Sequence, residues 1–278
     1  MLKTKRGSLL LVVLFVMIGC IFLTGYSAKS FYDAKKIYNE EKPAIVDPER
    51  AKLREENQAL ILLYHNVTDK RSISSSDDLY VHIDDFRKQL DYLVDNNYNV
   101  VTLEQLYKMR KNEEKIPEKT IVLTFDDGDK SSYDVVFPEL KKRGLKASFF
   151  VTTRQLNDKG FVTKEELIEM HNDGQDIQSQ GHNNEDFIDA SVAQVHKSLY
   201  LSKKILEEIL DKKILFLVYP NSSFNSEVIR LAQDVGYEWA LSTEAGKFYD
   251  HYLIMERVSV PGGCTLEQFK EKLGEYGY

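Results

Sequence analysis

Two carboxylates stand side by side in this sequence, Asp126 and Asp127, directly after the apolar run Thr120 to Phe125 and directly before Gly128. Successive side chains on a strand point to opposite faces, so two neighbours share one site only where the chain turns. Gly128 supplies a backbone permissive enough for that turn. Like charges held close push one pKa upward unless a cation compensates them, and a divalent metal is the natural compensation. A metal at such a pair brings hydrolytic chemistry with it, through a water made acidic by the ion. The same Asp-Asp-Gly tripeptide also serves as a plain strand-ending turn, so its chemistry depends on what the fold brings beside it. His65 ends the apolar run Ala59 to Tyr64, and His182 stands in the polar segment Ile177 to Phe187.

Short apolar runs alternating with helical patterns must position these groups, and that alternation is the signature of βα units and a parallel sheet. Strands are expected at Ala59 to Tyr64, Tyr98 to Val101, Thr120 to Phe125, Ala147 to Thr152, Asp176 to Ser179, Ile214 to Tyr219, Trp239 to Ser242 and Ile254 to Val260. Helical spacing is read around Phe86, Leu90 and Leu93, from Thr102 onward, and at Ser132 to Arg143, Lys164 to Asn172, Val192 to Leu210 and Ser226 to Val235. Seven or eight such units make a barrel or partial barrel, with its chemistry at the C-terminal strand ends.

Composition narrows the function classes. The 278 residues carry 44 acidic and 37 basic side chains, a net charge of −7 with no concentrated basic stripe, which excludes a nucleic-acid partner. Two cysteines, Cys20 and Cys264, form neither a disulfide framework nor a zinc cluster. At the N-terminus Lys3, Lys5 and Arg6 precede an uncharged segment that is almost continuously apolar from Leu9 to Leu23. A helix of about 20 apolar residues spans a bilayer, and flanking positive charge stays on the cytoplasmic side. Residues 1–28 therefore read as a single-pass signal anchor with the rest of the chain extracytoplasmic. Tyr26-Ser27-Ala28 keeps open cleavage of a signal peptide and secretion. Residues 29–58, charged and interrupted by Pro43 and Pro48, read as a stalk or linker, and 59–278 as the folded domain.

Leu123-Thr124-Phe125-Asp126-Asp127-Gly128, followed by Phe137-Pro138-Glu139-Leu140 and Lys146-Ala147-Ser148-Phe149-Phe150-Val151, resembles the first motif region of the polysaccharide deacetylases. Leu63-Tyr64-His65, the stretch Phe86 to Leu93, Tyr98 to Thr102, Val218-Tyr219-Pro220 and Arg257 to Pro261 are similar to the branch acting on exported N-acetylglucosamine polymers. This resemblance covers residues 59–278 and implies a distorted (β/α) barrel. It implies Asp126 as catalytic base, Asp127 as a ligand of zinc or a similar divalent metal, and His65, Tyr219 and Pro220 at the substrate. The implied partner is an N-acetylated polysaccharide or cell-wall glycan, and the implied reaction is hydrolysis of the acetamide C–N bond.

The second motif departs from the family, which places two histidine ligands there four or five residues apart. Anchored on Ser179 and Phe187, the first position falls on Gln180 and the second on Asn184, or on Glu185 with the longer spacing. Amide oxygens are weak donors for zinc, so the implied site is degenerate unless His182 and Glu185 join Asp127 in a rewired set. After Tyr219-Pro220 the family carries an aromatic and a glycine, where this chain has Asn221-Ser222. The family's late histidine, its proton donor, has no counterpart after Val260. Two functions compete on these grounds: a deacetylase with impaired or atypical metal use, and an inactive relative that binds glycan or a partner protein. A magnesium phosphohydrolase built on the carboxylate pair is excluded for want of a phosphate-cradling glycine loop.

Overall fold

Each expected strand is present, and all pair in parallel. The computed structural model describes residues 59–74, 77–243 and 252–278. Strands β1 (Leu60–Tyr64), β4 (Asn99–Val101), β5 (Thr120–Phe125), β6 (Ser148–Val151), β7 (Asp176–Ser179), β8 (Phe216–Val218) and β9 (Trp239–Ser242) are joined by β10 (Met255–Glu256) and β11 (Val258–Ser259). Along the sheet the order is β10-β9-β8-β7-β6-β5-β1-β11, with β4 on the first half of β5. The expected last strand, Ile254 to Val260, is thus divided at Arg257. Met255 and Glu256 register with Leu241 and Ser242 of β9, while Val258 and Ser259 register with Leu62 and Leu63 of β1. One segment changes partner in mid-course and nearly closes the ring, which makes this a (β/α) barrel with Arg257 at its seam.

Helices α1 (Ile83–Asp95), α2 (Leu103–Lys111), α3 (Phe137–Lys142), α4 (Lys164–Asn172), α5 (Val192–Leu210), α6 (Ser226–Val235) and α7 (Leu266–Glu275) connect the strands or follow them. Their starts are written locally. Thr102, Thr163, Ser191 and Thr265 each accept from the backbone three residues on, and Gln105, Glu166, Gln194 and Gln268 reach back to complete capping boxes. The expected helix from Ser132 to Arg143 begins instead as a π-helical stretch, Ser132–Val136, before α3. Among the described residues no helix is long and apolar enough to cross a membrane. The apolar run from Leu9 and the charged stalk after it lie outside the described residues.

Strand alternation divides the apolar side chains into two clusters. Leu62, Leu123, Phe149, Ile177 and Leu217 pack with Phe86, Leu90, Leu140, Leu167 and Leu199 of the helices. Ile61, Val122, Phe150, Val218, Leu241 and Met255 form a second cluster with Leu103, Leu106 and Tyr107 of α2. The backbone N–H groups of Leu103 and Glu104 donate to Ser148 and Asp176, at the first residues of β6 and β7, so α2 closes the N-terminal end of the barrel. The opposite end is left for a site. Behind it, Tyr64 stacks on Phe125 at 5.2 Å and Phe125 on Phe149 at 5.1 Å, which ties the ends of β1, β5 and β6 together.

A two-stranded sheet not anticipated from the sequence, β2 (Asn66–Thr68) and β3 (Tyr80–His82), follows directly after β1 and His65. These strands are three residues each, too short for period-two alternation to show.

Candidate active site

β5 delivers the two aspartates, and the turn after it separates their tasks. Asp127 has φ +69° and Gly128 φ +72°, and the Gly128 N–H donates to the Asp126 carbonyl at 2.9 Å. This three-residue turn is the device by which neighbours on one strand come to share a site. Gly128 is required there: a Cβ at this position lies 2.9 Å from Val151 Cγ1, on a backbone that side chains rarely adopt.

Asp126 turns to the seam. Arg257 Nη1 donates to its Oδ1 at 2.7 Å and Nη2 to its Oδ2 at 2.7 Å, a bidentate fork. The two side chains are 4% and 1% exposed, so the pair is held out of water. Arg257 Nη1 also reaches Thr124 Oγ1 at 3.3 Å, and its guanidinium lies 5.9 Å from the Phe150 ring centroid. An arginine in mid-course of a strand segment, at a position that the alternation of Met255, Arg257 and Ser259 does not mark as exposed, has to find a carboxylate once it is buried. The partner, 131 residues away, is not legible in the sequence.

Asp127 turns to β7. Gln180, the residue after that strand, meets it with both ends of its amide: Oε1 accepts the Asp127 backbone N–H at 2.6 Å and Nε2 donates to Asp127 Oδ1 at 2.7 Å. The backbone N–H can only donate, so the oxygen of the amide must face it and the nitrogen must face the carboxylate. Burial, followed by the Asp126 charge, holds the Asp127 carboxyl above the usual carboxylate range. His65, the Gln180 hydrogen bond and Arg257 offset this only in part.

His65 is thus the imidazole whose field acts on Asp127. His182 is engaged elsewhere: its Nδ1 lies 2.9 Å from Thr153 Oγ1, and its backbone N–H donates to Ser198 Oγ at 3.0 Å. Burial, then the cations Arg154 and Lys197, depress its pKa. Glu185 accepts from Asn183 Nδ2 at 2.9 Å, and Asn184 is exposed. The rewired set of Asp127, His182 and Glu185 is therefore not assembled, because the loop hydrogen bonds commit the imidazole to Thr153. Among the described residues no three His, Cys, Asp or Glu side chains are grouped to hold a metal ion. The donor set at the family's ligand positions does not fit zinc either. The Gln180 amide presents to the Asp127 carboxylate its N–H₂ group, which carries no lone pair for a metal.

Two further expectations are corrected by packing. Tyr219 is 1% exposed, stacks on Phe224 at 4.9 Å and donates its hydroxyl to the Leu253 carbonyl at 3.0 Å. Burial pushes that phenol well up, and it supports the rim rather than presenting a face to substrate. Pro220 is buried at the start of the turn Pro220–Ser222, where Asn221 and Ser222 have φ +54° and +52°. Ser222 thus keeps the left-handed backbone where the resemblance places a glycine. Two more aromatics belong to the core: Tyr64 is buried and donates to Gln89 Oε1, and Trp239 packs on Tyr107 and Phe216 near α2. Tyr80, which drew no notice in the sequence, pairs in register with Asn66, the residue after His65. Its phenol is raised by burial and then by Asp129, Asp77 and Asp127.

Comparison with known proteins bears on this geometry. Residues 113–240 match the family model for polysaccharide deacetylase. A Bacillus subtilis protein named as a polysaccharide deacetylase is 30% identical over 186 residues, 67% of this chain and 64% of that one. The chain thus spans a little under two thirds of that relative's length. The poly-β-1,6-N-acetyl-D-glucosamine N-deacetylase of Staphylococcus epidermidis is 27% identical over 226 residues, 72% of this chain and 78% of that one. A Streptococcus pyogenes deacetylase solved with acetate superposes with a TM-score of 0.72 at 25% identity, over 77% of this chain and 97% of that one.

Proposed function

Because this chain belongs to the polysaccharide deacetylase family, we propose that it engages an N-acetylated glycan of the N-acetylglucosamine type outside the cell membrane, with impaired or atypical hydrolysis of the acetamide. The N-terminal run from Leu9 to Leu23 behind Lys3, Lys5 and Arg6 supports a single-pass anchor with this domain extracytoplasmic. The similarity to poly-β-1,6-N-acetylglucosamine deacetylases supports the glycan class.

One observation carries the hydrolytic part of the reading. Asp127, which in the family's scheme would hold the ion, has one oxygen and its backbone N–H both taken by Gln180. What the chain retains is Asp126, fixed by Arg257 at the C-terminal end of β5. A base alone cannot polarise the acetyl carbonyl, and the late histidine that serves the family as proton donor has no counterpart after Val260. The geometry thus favours recognition over rapid turnover, and binding of glycan without hydrolysis is its limiting case.

The test uses the full chain in mild detergent with β-1,6-linked N-acetylglucosamine oligomers, measuring binding by calorimetry and acetate release by coupled assay. The expected outcome is saturable binding that weakens when the oligomer is fully de-N-acetylated, with acetate released slowly or not at all. Absence of binding to N-acetylated oligomers refutes the glycan assignment. Rapid, metal-dependent acetate release refutes the impairment.

A further inference from the structure

Two adjacent carboxylates near the core call for compensation, and the partners that the described residues place on them are protein donors. Asp126 receives both arms of the Arg257 fork at 2.7 Å each. Asp127 receives the Gln180 Nε2 donor at 2.7 Å, while Gln180 Oε1 holds its backbone N–H. We infer that Gln180 is a protein-made replacement for a metal ion, so that this domain folds and keeps its carboxylate pair without a divalent cation. The inference deepens the proposed function by removing the ion from it, and its test contains no glycan, so the two readings fail separately.

The backbone that carries Gln180 is fixed by groups that do not involve its side chain. Its own N–H donates to the Val151 carbonyl at 3.1 Å. The next N–H, of Gly181, donates to Ser179 Oγ at 3.0 Å, and Ser179 Oγ is in turn 2.9 Å from both Ser202 Oγ and the Tyr237 hydroxyl. Ser198 Oγ accepts the His182 N–H at 3.0 Å. Gly181 leaves no slack in this loop: a Cβ there would lie 3.2 Å from Phe187 Cζ and 3.4 Å from Ser198 Oγ. The backbone at this position is therefore held independently of the Gln180 side chain, at the place where the resemblance puts an imidazole. An imidazole introduced at this position is delivered beside Asp127.

The experiment measures thermal unfolding of the full chain in mild detergent after dialysis against EDTA, then with zinc or cobalt(II) added, together with the visible absorption of bound cobalt. The wild type is expected to melt at the same temperature in all three conditions and to bind no cobalt. The double variant Gln180→His with Asn184→His is expected to gain cobalt absorption and to melt roughly 5–10 °C higher with saturating metal, the gain that mass action gives at ~100 Kd. Gln180→Ala, which strips Asp127 of its partner, is expected to melt below the wild type in EDTA and to stay there when metal is added. A wild type that binds stoichiometric metal and melts higher with it overturns the inference. So does a folded double variant without cobalt absorption. Should that variant not fold, Gln180→Ala decides: melting equal to the wild type shows that the amide compensates nothing.

Discussion

Replacing Arg257 by Leu removes the cation that is ion-paired with Asp126 among the described residues. Asp126 is 3% exposed, and both its oxygens are held by Arg257 alone among the side-chain hydrogen bonds described. Breaking a buried pair by deleting one partner costs about 3–5 kcal/mol, because the remaining charge is neither hydrated nor compensated. A domain of this size loses roughly 2–4 °C for each kcal/mol, so the variant is expected to melt about 6–20 °C below the wild type at neutral pH. Urea denaturation followed by circular dichroism gives the same quantity as a shift in midpoint at unchanged slope. The double variant Asp126→Leu with Arg257→Leu separates the two contributions. Apolar side chains of similar volume commonly match a buried ion pair, so it is expected to recover most of the stability that the single variant loses. Arg257→Lys should fall between, since it keeps the charge but loses the planar fork. A single variant that loses less than about 1 kcal/mol, or a double variant as unstable as the single, refutes the claim that this pair holds the barrel seam.

Asp127→Asn tests the electrostatics of the second carboxylate. Its folded pKa lies above the ordinary value, so the stability its protonated form contributes is complete below the ordinary carboxylate range and is lost as pH rises through the raised value. The neutral variant keeps an oxygen for Gln180 and avoids that loss; its melting temperature is expected to exceed that of the wild type increasingly from pH 4 to pH 7, and a constant difference contradicts the shift. Gly128→Ala places a methyl 2.9 Å from Val151 Cγ1 at φ +72°. The left-handed backbone and the crowding together cost about 2–4 kcal/mol, read by urea denaturation, and a loss under 1 kcal/mol would show that the turn can relax.

The order of strands and helices was legible because its signals are local. Period-two and period-3.6 patterning and four capping boxes lie within a few residues of the elements they specify. The carboxylate pair and the substitution of Gln180 for a histidine are likewise matters of residue type at a strand end. What the pair does was not legible, because it depends on contacts between residues far apart in the chain. Arg257 meets Asp126 across 131 positions, and Gln180 meets Asp127 across 53. The resemblance implies Tyr219 at the substrate, yet its hydroxyl is spent on Leu253, 34 residues away in the chain. His65 and His182 are equivalent as residue types; the loop hydrogen bonds commit one to Thr153, and the end of β1 leaves the other in the field of Asp127. Sequence by itself determined the barrel, its two carboxylates and the altered ligand position, since each is written in neighbouring residues. Only the tertiary structure decided that arginine pairs with Asp126 and that glutamine hydrogen-bonds Asp127, because the partners of a buried charge are set by distance in space.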